Sequence, residues 1–128
     1  MGERKEGREN LRVLVVDDEK PCLDELVYLL LQESNVEIVG AYTSSPEALK
    51  DMVNLTFDLA FLDLSMPHID GVELARKMQA RYPSLKVVFV TAYAKELGKL
   101  KINPSQSSIL KPVNKTKIHQ LITSLKES

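Results

Sequence analysis

The sequence has little that would take it out of the ordinary globular class. It carries a single cysteine, Cys22, so no disulfide can form within the chain, which fits a reducing compartment such as the cytoplasm. At the start of a helical stretch, Cys22 reads as a small buried hydrophobe. The formal net charge is only −1, without the basic excess of a surface built for nucleic acid. No apolar run is long enough to cross a bilayer, the one at 26–31 being far too short. The charged segment 1–10 lacks the apolar core of a signal peptide. There is no internal repeat, no low-complexity stretch and no helix-turn-helix pattern. What remains is 128 residues, 44% hydrophobic and 27% charged, enough for one domain with a real core but not for two. Residues 1–10 read as a disordered leader or linker, and residues 11–128 as the domain.

Past residue 10, apolar runs of strand length alternate with stretches of helical period. Residues 11–16, 36–41, 57–62, 85–90 and 106–110 read as strands, the last weakened by two serines. The nearly continuous apolar character of the first is that of a strand covered on both faces. Between the strands lie five helical patterns. Leu23, Leu26, Val27, Leu30 and Leu31 form the first stripe, with Pro21 in the opening turn. Ser45-Pro46 reads as an N-cap and first-turn proline before Ala48, Leu49, Met52 and Val53. Asp70 and Glu73 form a capping box ahead of Leu74, Ala75 and Met78. A weaker helix spans 94–101. Asn114 opens the last, with Ile118, Leu121, Ile122 and Leu125 as its stripe. Five strands alternating with five helices predict an α/β doubly wound parallel sheet with helices on both faces. Such sheets bind ligands beyond the carboxyl ends of their strands.

The polar residues gather at that edge. Asp17 and Asp18 follow the first strand, Asp63 follows the third, Thr91 ends the fourth and Lys111 ends the fifth. Taken alone, each has a plain structural reading: Asp-Asp as a helix cap, Thr91 as a strand residue, Lys111-Pro112 as a turn. No packing rule requires all five at one edge. Three crowded carboxylates repel one another unless a cation intervenes. Mg²⁺ is commonly held by one or two carboxylates plus phosphate oxygens. It neutralises nucleophile and phosphoryl group together, which is most of what phosphoryl transfer asks of a protein. A lysine ammonium can pair with carboxylate or phosphate, and a threonine hydroxyl can donate to phosphate.

In this order and spacing the motifs Val15-Val16-Asp17-Asp18-Glu19, Leu62-Asp63-Leu64-Ser65-Met66-Pro67, Asp70-Gly71, Val90-Thr91-Ala92 and Leu110-Lys111-Pro112 are highly specific. Over residues 11–126 the chain resembles the response-regulator receiver domains of bacterial two-component systems. The resemblance implies a flavodoxin-like strand order 2-1-3-4-5 and a phosphoacceptor switch. Asp63 would take a phosphoryl group from a sensor histidine kinase or phosphotransfer protein. Mg²⁺ would be bound by Asp18, Asp63 and the backbone carbonyl of Ser65, with Asp17 acting through a water. Lys111 and Thr91 would contact the phosphoryl oxygens, and Pro112 would follow a cis peptide bond. Such a domain catalyses only its own phosphorylation and dephosphorylation. It controls an effector domain or output protein, transcription regulators among them, and can dimerise when phosphorylated. It touches neither nucleic acid nor membrane itself.

One departure from the family pattern bears on activation. An aromatic usually stands three residues before the lysine, where this chain has Ser108. Tyr93, two residues beyond Thr91, could take part of that role. Ser65 and Tyr93 are also placed to flank the approach to a phosphoryl group on Asp63. Two other classes compete. A pseudo-receiver would bind partners without phosphorylation, against which all five chemical positions are intact. A flavodoxin would want a Ser/Thr/Gly-rich loop after the first strand, and a haloacid-dehalogenase-type phosphatase a nucleophilic Asp there with a second Asp two residues on. Here Asp17 is followed at that spacing by Glu19.

Overall fold

A computed structural model describes residues 10–126; the leader assigned to 1–10 lies outside them except for Asn10. Five strands form one sheet: β1 (Leu11–Val16), β2 (Val36–Tyr42), β3 (Leu59–Asp63), β4 (Lys86–Thr91) and β5 (Gln106–Leu110). All pairings are parallel and the order is β2-β1-β3-β4-β5. Five helices connect and follow them: α1 (Lys20–Leu31), α2 (Ser45–Met52), α3 (Gly71–Arg81), α4 (Ala94–Lys99) and α5 (Lys115–Lys126).

Because side chains alternate along a strand, the apolar runs feed two cores at once. Val13, Val15, Leu59, Phe61, Val88 and Val90 face α1 and α5, meeting Leu23, Leu26, Leu30, Ile118 and Ile122. Leu14, Val16, Ala60, Leu62, Val87 and Phe89 face the other way, onto Ala48, Met52, Leu74, Ala75 and Met78. Phe61 and Phe89 are the largest side chains in these layers and are almost wholly enclosed. Burying such a ring contributes roughly 1.5–3 kcal/mol. The double cover explains why β1, β3 and β4 are nearly pure apolar sequence.

Several local expectations shift. β3 starts at Leu59 rather than 57, after a bend at Asp58, whose Oδ2 accepts from Arg12 N–H at 2.9 Å. At its other end Asp63 is the last strand residue, opposite Val90, rather than the first beyond the strand. The cap of α2 is Ser44, whose Oγ accepts from Glu47 N–H at 3.2 Å. Ser45, buried, instead donates to Pro67 O at 3.3 Å and ties α2 to the loop after β3. Leu31 and Val53 are exposed. At about 100° per residue, the covered face of α1 centres between Leu26 and Leu30 and takes in Leu29, leaving Leu31 at its edge. Val53 lies one residue beyond α2. The weak fourth helix ends at Lys99 rather than 101 and buries no residue. Cys22 is only half-buried, because it faces the cleft beside β1 and β5 and not the core. None of the described helices is long and apolar enough to cross a membrane.

Candidate functional site

The carboxyl ends of β1, β3, β4 and β5 meet above the middle of the sheet. At the end of β1, Asp17 N–H donates to Tyr42 O at 3.0 Å, and its Oδ1 accepts from Glu19 N–H at 3.0 Å. That second bond closes the turn into α1 and fixes the Asp17 carboxylate. Asp63 is braced from below: Gly71 N–H donates to Leu64 O at 2.9 Å. A Cβ at Gly71 would collide with the backbone carbonyl of Asp63, so Asp70-Gly71 permits α3 to start against the site. Half of the expected capping box forms: Glu73 N–H donates to Asp70 Oδ1 at 2.9 Å, but the Glu73 carboxylate pairs with Arg76 one turn on. Lys111 N–H donates to Thr91 O at 2.7 Å, extending the β4–β5 ladder to the site. The Lys111–Pro112 peptide bond is cis.

These elements bring Asp17, Asp18 and Asp63 together, with one carboxylate oxygen of each within 4.8 Å of the others. Asp17 and Asp63 are buried, 2% and 6% exposed. The Lys111 ammonium lies 2.9 Å from Asp17 Oδ2 and 3.8 Å from Asp63 Oδ1. Burial pushes the Asp63 carboxyl up to about 7, and the neighbouring charge of Asp17 and the hydrogen bond with Asp18 push the same way, against Lys111. Burial works against the charge of Lys111, yet the hydrogen bond and charge of Asp17, with the charge of Asp63, raise its pKa on balance. One ammonium among three carboxylates leaves the ionised site anionic. An all-oxygen set crowded in this way suits a hard divalent cation, whose charge would offset the repulsion that raises Asp63.

A cleft of about 450 Å³ runs from Asp17 and Lys111 past Cys22 to Leu26 and Val113. The Cys22 thiol donates to Glu19 Oε1 at 3.5 Å, and burial pushes its pKa up, opposite to what an activated thiol shows.

On the other flank a further side chain enters beside Ser65 and Thr91. Tyr93 is 64% exposed, and its backbone N–H donates to Thr91 Oγ1 at 3.2 Å. The side chain that meets both Thr91 and Ser65 is Glu96: Thr91 Oγ1 donates to its Oε1 at 2.5 Å and Ser65 Oγ to its Oε2 at 3.0 Å. Sequence reasoning passed over Glu96. Its one signal was an acidic residue in the first turn of the helix after β4, a position where a carboxylate ordinarily complements the helix dipole. Ser108 lies in β5, exposed.

Comparisons with known proteins agree with this geometry. The family model for the response regulator receiver domain matches residues 13–123. A sensory transduction protein, LytT, of Enterococcus faecalis is 36% identical over 113 residues, covering 88% of this chain and 46% of that protein. An uncharacterized response regulatory protein of Yersinia pestis is 34% identical over 115 residues, covering 90% of this chain and 48% of its own length. The chain thus spans about half the length of the curated relatives it matches. Among solved structures, a CheY-like response regulator receiver domain protein from Methanospirillum hungatei superposes with a TM-score of 0.77 at 31% identity, covering 92% of this chain and 94% of the other.

Proposed function

Since the chain belongs to the response regulator receiver domain family and is a two-component signalling switch, we propose that Asp63 is the residue that accepts the phosphoryl group. The observation that carries this is the juxtaposition of Asp63 with Asp17, Asp18 and the Lys111 ammonium, contributed by separate strands to one edge of the sheet. An oxygen of Asp63 bonds to phosphorus while the bond from phosphorus to the donor nitrogen breaks. The electron pair stays on the departing imidazole of a sensor histidine kinase or phosphotransfer protein. Asp18, Asp63 and the Ser65 carbonyl would hold Mg²⁺, with Asp17 reaching it through water. When bound, Mg²⁺ supplies neutralising charge to the nucleophile and the phosphoryl oxygens. Lys111 pairs with Asp17 and Asp63 before transfer and with a phosphoryl oxygen after it. Thr91 donates its hydroxyl to another.

The domain is consumed stoichiometrically as a phosphoacceptor and turns over no other substrate. Its partners are the kinase or phosphotransfer protein and an output domain or protein, transcription regulators included, with homodimerisation as one form of output. The cytoplasm is its compartment. With a small-molecule phosphodonor and Mg²⁺, intact-mass measurement should show one acid-labile, hydroxylamine-sensitive phosphoryl group. Asp63→Ala should acquire none, and undiminished labelling of that variant overturns the assignment.

A further inference from the structure

The loop after β3 and the first turn of α4 are joined by a side chain for which phosphoryl transfer has no need. Glu96 accepts from the Thr91 hydroxyl through one carboxylate oxygen and from the Ser65 hydroxyl through the other. A hydroxyl has one proton to give. While Thr91 gives it to Glu96, it cannot give it to an anion on Asp63. Ser65 is occupied in the same manner.

The rest of α4 is lightly held, with only Leu97 and the capping Leu100 packed half-buried against the core. The helix is six residues long, buries none of them, and has no side-chain cap. Its first backbone tie is Glu96 N–H to Tyr93 O at 3.0 Å. Besides that packing, the polar side-chain tie that positions α4 is the same carboxylate that occupies Thr91. On β5, Ser108 offers no aromatic ring that could follow Thr91.

We propose that Glu96 is a clasp that holds the unphosphorylated arrangement, and that an anion on Asp63 displaces it, freeing the Thr91 hydroxyl for the anion and releasing α4. The clasp rests on the reading of Asp63 as phosphoacceptor. A phosphoryl group brings a charge of roughly −2 toward a carboxylate that holds the same hydroxyl. The two cannot both keep it, so anion binding and the Glu96 contacts are reciprocally linked. Glu96 acts here through Thr91 and Ser65 as a positioning residue.

The test uses the full chain, Mg²⁺ and beryllofluoride as the anionic probe. Glu96→Ala should bind the probe about tenfold more tightly than the wild type, within the usual range of coupling between sites. Glu96→Gln keeps an acceptor but loses the charge, and should bind more tightly by roughly threefold. Hydrogen exchange gives a readout independent of affinity. Without probe, the amides of α4 should exchange faster in Glu96→Ala than in the wild type. Adding probe should raise the wild-type rate toward that level and leave Glu96→Ala unchanged. Wild-type binding with equal or weaker affinity in both variants overturns the clasp alone, as does unchanged exchange in α4. Absence of binding in both the wild type and Glu96→Ala overturns the reading of Asp63, and the clasp with it.

Discussion

Along β3 every residue is buried, whereas along β5 none is. The helices repeat the contrast: α1 buries four leucines and α4 buries nothing. The β1–β3 region, which carries the three carboxylates, is held by apolar packing on both faces. The α4–β5 region, which borders the site from the other side, has only half-buried apolar side chains such as Leu97 and Ile109 and is held largely by polar ones. Gln79 Nε2 donates to Leu85 O and Ser105 Oγ, both at 2.8 Å, and Gln106 Nε2 donates to Gln79 Oε1 at 2.9 Å. Glu96 holds the loop after β3 to α4. Single hydrogen bonds contribute about 1 kcal/mol net, less than a buried aromatic ring. The difference teaches where a switch can sit: rigid packing fixes Asp63, and lighter ties leave the opposite side free to rearrange at small cost.

The largest effects should fall on the packed side. Phe61→Ala removes an enclosed ring and should lower unfolding free energy by about 3–5 kcal/mol, measured by urea titration. Ile109→Ala in β5, half-buried, should lose less than half as much. Equal losses would erase the distinction between the two regions.

Next in size is the metal. Mg²⁺ at about a hundred times its dissociation constant should stabilise the folded chain by about 2.7 kcal/mol through mass action. Asp18→Ala should abolish most of the resulting rise in melting temperature, while Glu19→Ala keeps much of it. Equal shifts in the two variants would move the site away from the three carboxylates.

Asp63 gives a pH-dependent test of the same region without metal. Its carboxyl titrates near 7 in the fold and near 4 in an unfolded chain. A carboxyl raised in this way penalises the folded state. The penalty is absent below the unfolded value, grows between about 4 and 7 as only the unfolded chain loses its proton, and is complete above that range. Asp63→Asn should therefore stabilise the metal-free protein by about 1–3 kcal/mol near pH 8 and by almost nothing below pH 4. A gain of the same size at both ends would mean that packing, not charge, is responsible.

The smallest effect should come from the polar side. Gln79→Ala should cost about 1 kcal/mol globally, yet speed amide exchange along β5 while leaving β1 and β3 protected. Faster exchange throughout the sheet would show that this network supports the whole fold and not one edge.

The sequence exposed much of this arrangement because the site follows from strand ends. β1 and β5 coincide with the predicted runs, and Asp17, Asp18, Thr91 and Lys111 are found at the edge that alternating strands and helices imply. Where the reading slipped, a neighbouring residue could meet the same local rule. Ser44 and Ser45 both suit a cap before Pro46, and only contact with Pro67 selects which is left to do it. Leu29 and Leu31 both continue the stripe of α1, and only the placement of the sheet decides between them. Phe57 fits a strand pattern, but packs its ring edge-on to Tyr82 at 5.3 Å.

By itself the sequence determined the parallel fold, the two-sided core and the chain positions of the charged groups, because period and apolar runs report burial along a single element. It also marked Ser108 as a position without a ring. Only the tertiary structure decided how the edge is wired. Lys111 settles 2.9 Å from Asp17 and 3.8 Å from Asp63, burial and like charge carry Asp63 to about 7, and Glu96 joins Ser65 to Thr91. Ser65 and Glu96 are 31 residues apart in the chain. No periodicity encodes such a contact, since it exists only once two loops have been set side by side by the strands beneath them.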